Sequence, residues 1–198
     1  MTYVTSTGRE NTVLDFLDTD LTGWTIEGAD LNWHFKQTDI HNVNRTLYHA
    51  GGGTYENGFL LSDFAPVENV HMYLYLQLEY PGFSDQRMDG IVFRYQNQNN
   101  YYVVHALRLL EYPSDTRLYL VRVSNGQPTY LGYYDFVPAK GYWHIYRVEA
   151  VKDHIMVYLD GKKVIAVHDT DSLPAGKVGI YGYSEGGYRL KCFFAEEL

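Results

Sequence analysis

In the segment NVHMYLYLQLEY, residues 69–80, His71, Tyr73, Tyr75, Gln77 and Glu79 alternate with Val70, Met72, Leu74, Leu76 and Leu78. A period of two sends the first set to one side of a strand and the second to the other, so the two tyrosines stand together on a wet face. A sugar ring offers apolar CH faces and hydroxyl edges, and flat rings with a polar tip beside Arg, Gln or Asn suit it. By the same alternation Arg94 and Gln96 project together from a following stretch, and Tyr102 and Arg108 from its partner, with His105 at the opposite parity. The candidate ligand-binding residues are therefore Tyr73, Tyr75, Arg94, Gln96, Tyr102 and Arg108. The structural alternative is that such rings cover a sheet and stabilise strand pairing by roughly 0.2–1 kcal/mol a pair.

Other chemistry is imitated without its required context. Gly182, Ser184 and Gly186 have the spacing of a nucleophile elbow, but no helical periodicity follows, so a hairpin turn is expected. Asp18-Thr-Asp20-Leu-Thr22-Gly23 begins like a calcium loop and has Ala29 where the closing bidentate Glu belongs, which reads as a solvated turn. The eight His residues show no His-x-His or His-Glu-x-x-His spacing. Zinc is not expected, and His71, His105, His144 and His154 read as strand positions facing water. One cysteine, Cys192, excludes an internal disulfide and reads as a buried, inert thiol in an alternating run.

The elements that must position these groups are strands. Alternating runs are separated by reversals at Asn97–Asn100, Asn125-Gly126 and Asp160-Gly161, where Asn-Gly and Asp-Gly pairs accept the positive φ of tight hairpins. The count is on the order of a dozen short strands with almost no helical pattern. The expected class is all-β, a two-sheet antiparallel sandwich, because a sheet with one apolar face must bury it against another layer. The 198 residues read as one domain over 1–198, with residues 1–12 an N-terminal extension. The charge balance, 16 Lys plus Arg against 24 Asp plus Glu, gives −8, the wrong sign for nonspecific nucleic-acid binding. No apolar run has the length of a membrane-spanning helix, so membrane insertion is not expected, and residues 1–10 lack the pattern of a signal peptide. The 20 Tyr beside 9 Phe and 3 Trp exceed what burial alone favours and suggest rings whose hydroxyls meet water or a ligand.

Four segments, GFLLSDFAPVENVHMYLYLQLEY, GIVFRYQNQNNYYVVHAL, WHIYRVEAVKDHIMVYLDGKKV and LPAGKVGIYGY, resemble in this order the concanavalin A-like lectin/glucanase jelly roll, and most of all its laminin-G-like and domain-of-unknown-function branches. The resemblance covers the chain from about Val13 onward and implies a jelly-roll sandwich that hosts lectins, glycosidases, lyases and adhesive modules. Glucanases of this scaffold carry Glu-x-Asp-x-x-Glu on one strand, and no Glu-x-Asp occurs here. The lyases carry Gln-x-His, and Val103 stands two residues before His105. Relatives hold calcium in rim loops, which makes Asp85 and Asp89 of PGFSDQRMDG the candidate calcium ligands. The leading expectation is a non-catalytic carbohydrate-binding or adhesion module whose partner is a polysaccharide or glycan, with no catalytic residue assigned. One alternative is a structural surface or decoration subunit of a virion or cell-surface appendage, with protein partners. Another is a glycoside hydrolase or polysaccharide lyase with atypical catalytic residues.

Overall fold

The computed structural model describes residues 2–4, 10–15, 21–29, 33–37, 45–49, 56–78, 86–109, 116–137, 141–183 and 188–198. Among them lie sixteen strands and no helix: β1 (Thr2–Val4), β2 (Glu10–Asp15), β3 (Trp24–Gly28), β4 (Trp33–Gln37), β5 (Arg45–His49), β6 (Asn57–Ser62), β7 (Val70–Leu78) and β8 (Gln86–Asn97). The second half adds β9 (Asn100–Leu109), β10 (Arg117–Ser124), β11 (Gln127–Asp135), β12 (Trp143–Val151), β13 (His154–Leu159), β14 (Lys162–His168), β15 (Lys177–Tyr183) and β16 (Tyr188–Glu197). The strands beyond the expected dozen are matched by short pieces in the first quarter of the chain, where β1–β5 have three to six residues each. β1 and the first residues of β2 fall within residues 1–12; β1 pairs with β2, and β2 with β16.

One sheet runs β1-β2-β16-β7-β12-β13-β14, with β5 joined to β16 and β4 to β5; the other runs β11-β10-β9-β8-β15-β6-β3. Every pairing is antiparallel. The nine-stranded sheet follows simple alternation. Val70, Met72, Leu74 and Leu76 of β7 are fully buried against the other layer, and His71, Tyr73, Tyr75 and Gln77 face outward, half-buried. The partners across the interior include Leu60, Ile91, Phe93, Tyr102, Val104, Leu118, Leu120 and Ile180 of the seven-stranded sheet.

The seven-stranded sheet does not alternate wet and dry. Phe59, Leu60 and Leu61 of β6 are all fully buried. Leu60 enters the interior between the sheets, whereas Phe59 and Leu61 join Val92, Tyr95, Tyr101, Val103, Val121, Val123 and Tyr181 in a second apolar cluster on the outer side of the same sheet. A strand buried on both faces reads as a continuous apolar run, so its period cannot reveal which face is which.

The tight turns form as their residues dictate. Asn125 and Gly126 have φ of 51° and 74°, and Asp160 and Gly161 have 50° and 83°, the paired positive values of a hairpin whose twist matches its strands.

Candidate ligand-binding groove

A groove of about 420 Å³ runs over the second cluster, with Tyr101, His105 and Tyr181 in its floor and Tyr130, Tyr183, Asn57, Gln98 and Asn99 along its sides. It opens at one end onto a polar depression that shares Asn57, Gln98 and Asn99 and adds Glu56. Its floor depends on a glycine. Gly90 of β8 is paired with His105 on one side and Tyr181 on the other, so the two rings meet across it with centroids 5.8 Å apart. A Cβ on Gly90 would come within 1.8 Å of the Val104 carbonyl oxygen. From His105 the rings continue through Tyr119, 6.0 Å away, to Tyr130 and Tyr133 on β11. Tyr130 and Tyr133 are 64% and 59% exposed, which gives the strip a free edge.

A register irregularity makes that strip possible. Val121 pairs with Tyr130 and Leu120 with Gly132, leaving Leu131 as an extra residue. Inserting one residue reverses parity, so Tyr130 and Tyr133, three apart, both pack on Tyr119 on the outer side.

The rim is built from two hairpin tips braced together. Asn97 Oδ1 accepts hydrogen bonds from the Asn99 backbone N–H and from Asn100 Nδ2, an Asx arrangement that closes the 97–100 turn. Asn100 Oδ1 accepts from the Asn125 N–H, and the Gly126 N–H donates to the Asn99 carbonyl. At the far side the Tyr181 hydroxyl donates to Asn57 Oδ1 and the Tyr95 hydroxyl to Glu27, each at 2.7 Å.

Burial sets the protonation states on the floor. Desolvation holds His105 down to about 4, so it is a neutral imidazole at physiological pH, and its Nδ1 has no hydrogen-bond partner among the described residues. The same cause pushes the Tyr101 phenol up to about 12 and raises Tyr181 strongly. The arrangement therefore offers neutral donors and acceptors between ring faces. That suits an uncharged polyol with apolar patches better than an ion.

The residues singled out from sequence have different places. Tyr73 and Tyr75 do face outward, on the nine-stranded sheet, where Tyr73 stacks on Phe194 (centroids 4.8 Å apart, planes 15°) and edges against Tyr75. Arg94 is not on a wet face; it is fully buried. A bulge between Phe93 and Asn97, with Arg94 at φ 47°, turns its side chain inward, where the guanidinium donates to the carbonyls of Glu68, Lys152 and Leu173 and to Ser172 Oγ. Gln96 does project with it, and its amide donates to the carbonyls of Pro174 and Ala175. Tyr102 is likewise buried, donating to Asp169 Oδ2 at 2.6 Å and accepting from the Leu173 N–H. Buried Arg94 and Tyr102 thus tie down residues 169–173, and exposed Gln96 ties down Pro174 and Ala175 at the surface. Arg108 lies on β9 opposite Arg87, and its side chain is outside the described residues.

His105, expected in water, is the buried one in the groove floor. The parity that separates it from Tyr102 holds, but both sides of β9 are buried from Tyr101 to Ala106: Tyr102 faces the interior between the sheets and His105 the outer cluster. Asp89 belongs to β8 and is buried rather than in a rim loop, and Asp85 lies outside the described residues. Cys192 pairs with Tyr75 on the outer face and is only half-buried; Phe193 fills the interior place beside it. Sequence reasoning missed Tyr101, His105, Tyr130 and Tyr181. The signal that marks them is Gly90 in the middle of an apolar strand, since an interior strand glycine flags a close approach of neighbours.

The fold and groove define a concanavalin A-like jelly-roll sandwich, and comparison with known proteins gives the same class. The chain belongs to the family described as the 3-keto-alpha-glucoside-1,2-lyase-like domain, whose model matches residues 12–191. Comparison of the sequence with curated proteins finds no match. Among solved structures the chain is similar to the carbohydrate binding module CBM66 from Bacillus subtilis, at 18% identity and TM-score 0.63, covering 85% of this chain and 92% of that one. It is similar to the VIP36 exoplasmic/lumenal domain in its Ca²⁺/Man3GlcNAc-bound form, at 12% identity and TM-score 0.61, covering 90% and 85%. A putative glycosyl hydrolase from Parabacteroides distasonis matches at 13% identity and TM-score 0.58, covering 90% of each chain. At these identities the likeness is one of fold, a fold used both by carbohydrate-binding modules and by hydrolases.

Proposed function

We propose that the protein binds a carbohydrate in the groove over the outer face of the seven-stranded sheet. The observation that carries this reading is the continuous run of rings from Tyr181 through His105 and Tyr119 to Tyr130, edged by the amides of Asn57, Gln98 and Asn99. Ring faces stack on sugar CH groups, and the amides satisfy hydroxyls at the edges. The fold shared with CBM66 and the VIP36 lumenal domain supports the same class of ligand. Affinity electrophoresis and a glycan array test it. Retention on at least one glycan, weakened in Tyr130→Ala and kept in Tyr73→Ala/Tyr75→Ala, is the expected result; retention lost only in the second variant would move the site to the other sheet.

A second reading, catalysis on a keto-glucoside, is favoured by the family description and by the neutral imidazole of His105 in the groove floor. Such an imidazole can accept a proton, although a group held at about 4 is a weak base at neutral pH. Incubation with 3-keto-α-glucosides, followed by sugar release, distinguishes the readings. Turnover abolished by His105→Phe, in a protein that still binds the glycan, would favour catalysis.

A further inference from the structure

Away from the groove, at the free end of the β13–β14 hairpin, the geometry points to a binding site for a divalent transition-metal ion formed by Asp153, His154 and His168. One ligand atom from each lies within 4.8 Å of the others. His154 Nδ1 is 2.8 Å from Asp153 Oδ1, His168 Nε2 contacts Oδ2, and the two imidazole centroids are 4.5 Å apart. A first-row divalent ion holds imidazole nitrogen and carboxylate oxygen at about 2.0–2.2 Å, so its ligand atoms stand roughly 3–3.5 Å from one another. Small side-chain rotations bring the three groups to that spacing. Two imidazoles and one carboxylate suit zinc, cobalt, nickel or copper and fit calcium or magnesium poorly. The nitrogens that now face Asp153 present lone pairs to the ion once their protons move to the other ring nitrogen by exchange with water. Both rings are open to solvent, at 66% and 55% side-chain exposure, so an ion can enter and would keep water in its remaining positions.

The backbone beneath the cluster is already fixed. The Asp169 N–H donates to the Asp153 carbonyl at 2.8 Å, the Lys152 N–H donates to Asn69 Oδ1 at 2.7 Å, and the Lys152 carbonyl accepts from buried Arg94. Asp169 is itself tied to Arg122 and Tyr102. The clamp that withdrew Arg94 and Tyr102 from any surface role thus holds the turn that presents Asp153 and the strand end that presents His168.

The cluster also depends on a bulge. Closure at Asp160-Gly161 pairs Leu159 with Lys162, and unbroken pairing from there would set His154 opposite Val167. A shift between Val157 and Tyr158 sets it opposite His168, on the same face. No sequence spacing announces such a site, because His154 and His168 are brought together only by that one-residue slip.

The test uses the full, tag-free chain at neutral pH, titrated with Co²⁺ by visible absorbance and with Zn²⁺ by calorimetry. Uptake of one ion per chain is expected, with ligand-field absorption of cobalt, and His154→Gln and His168→Gln should each weaken binding at least about tenfold. His144→Gln, at a histidine paired with Asp160 in the same sheet, should leave it unchanged. Circular dichroism confirms that the variants fold, and a glycan-retention assay reads the groove separately. No uptake at millimolar ion, or unweakened binding in the His154→Gln/His168→Gln double variant, would overturn the assignment.

Discussion

The two outer faces of this sandwich are built from similar residues and are packed differently. On the nine-stranded sheet the aromatic and charged side chains satisfy one another. Tyr73 stacks on Phe194, Arg147 lies 3.7 Å over the Tyr158 ring, and Glu149 accepts from the Tyr158 hydroxyl while pairing with Arg147. These contacts join the rings and charges of β7, β12, β13 and β16 into one packed surface layer. On the seven-stranded sheet the rings sink into a second cluster and leave a trough whose walls carry free edges and amides.

Four experiments would break or sharpen this contrast. The largest effect is expected in the floor of the groove: Tyr181→Ala should cost about 3–5 kcal/mol in urea unfolding, the range for deleting a buried aromatic ring. Next is pH. The ordinary histidine value is 6.5 and burial holds His105 at about 4, so below 6.5 the unfolded chain takes up a proton that the folded chain refuses. Stability should be complete above that pH and fall towards pH 4, by about 3 kcal/mol at 1.4 kcal/mol per unit. His105→Phe should flatten the slope, leaving the smaller contribution of His71, which burial also lowers.

Third, Tyr130→Ala should weaken retention on a binding glycan about tenfold, or about 1.4 kcal/mol, with little change in unfolding. The smallest effect belongs to the other face. Tyr73→Ala should lose no more than about 1 kcal/mol of stability, and a double-mutant cycle with Phe194→Ala should return a coupling of about 0.5–1 kcal/mol. A large loss of glycan retention in Tyr73→Ala would invert the contrast.

The nine-stranded face was legible in advance because β7 is wet on one side and dry on the other, so period two carries real information there. The hairpin at Asn125-Gly126 was legible for a local reason: its φ values are properties of those two residues. The groove was not, and three particular features hid it. YYVVHAL has a ring or aliphatic group at both parities, and pattern alone assigned His105 to water and Tyr102 to a ligand. The bulge at Arg94 redirected a charged side chain inward. The slip at Leu131 put Tyr130 and Tyr133 on one side, where strict alternation would separate them.

By itself, then, the order of residues determined what is local: strands from alternation, reversals from Asn-Gly and Asp-Gly, and an all-β sandwich from the need to bury one face of each sheet. Tertiary structure decided what depends on a count across strands. One extra residue in a ladder reverses every parity beyond it, and only the packed sheets set where that residue is inserted. Those slips turned Arg94 inward, put Tyr130 and Tyr133 on one face, and set His154 beside His168.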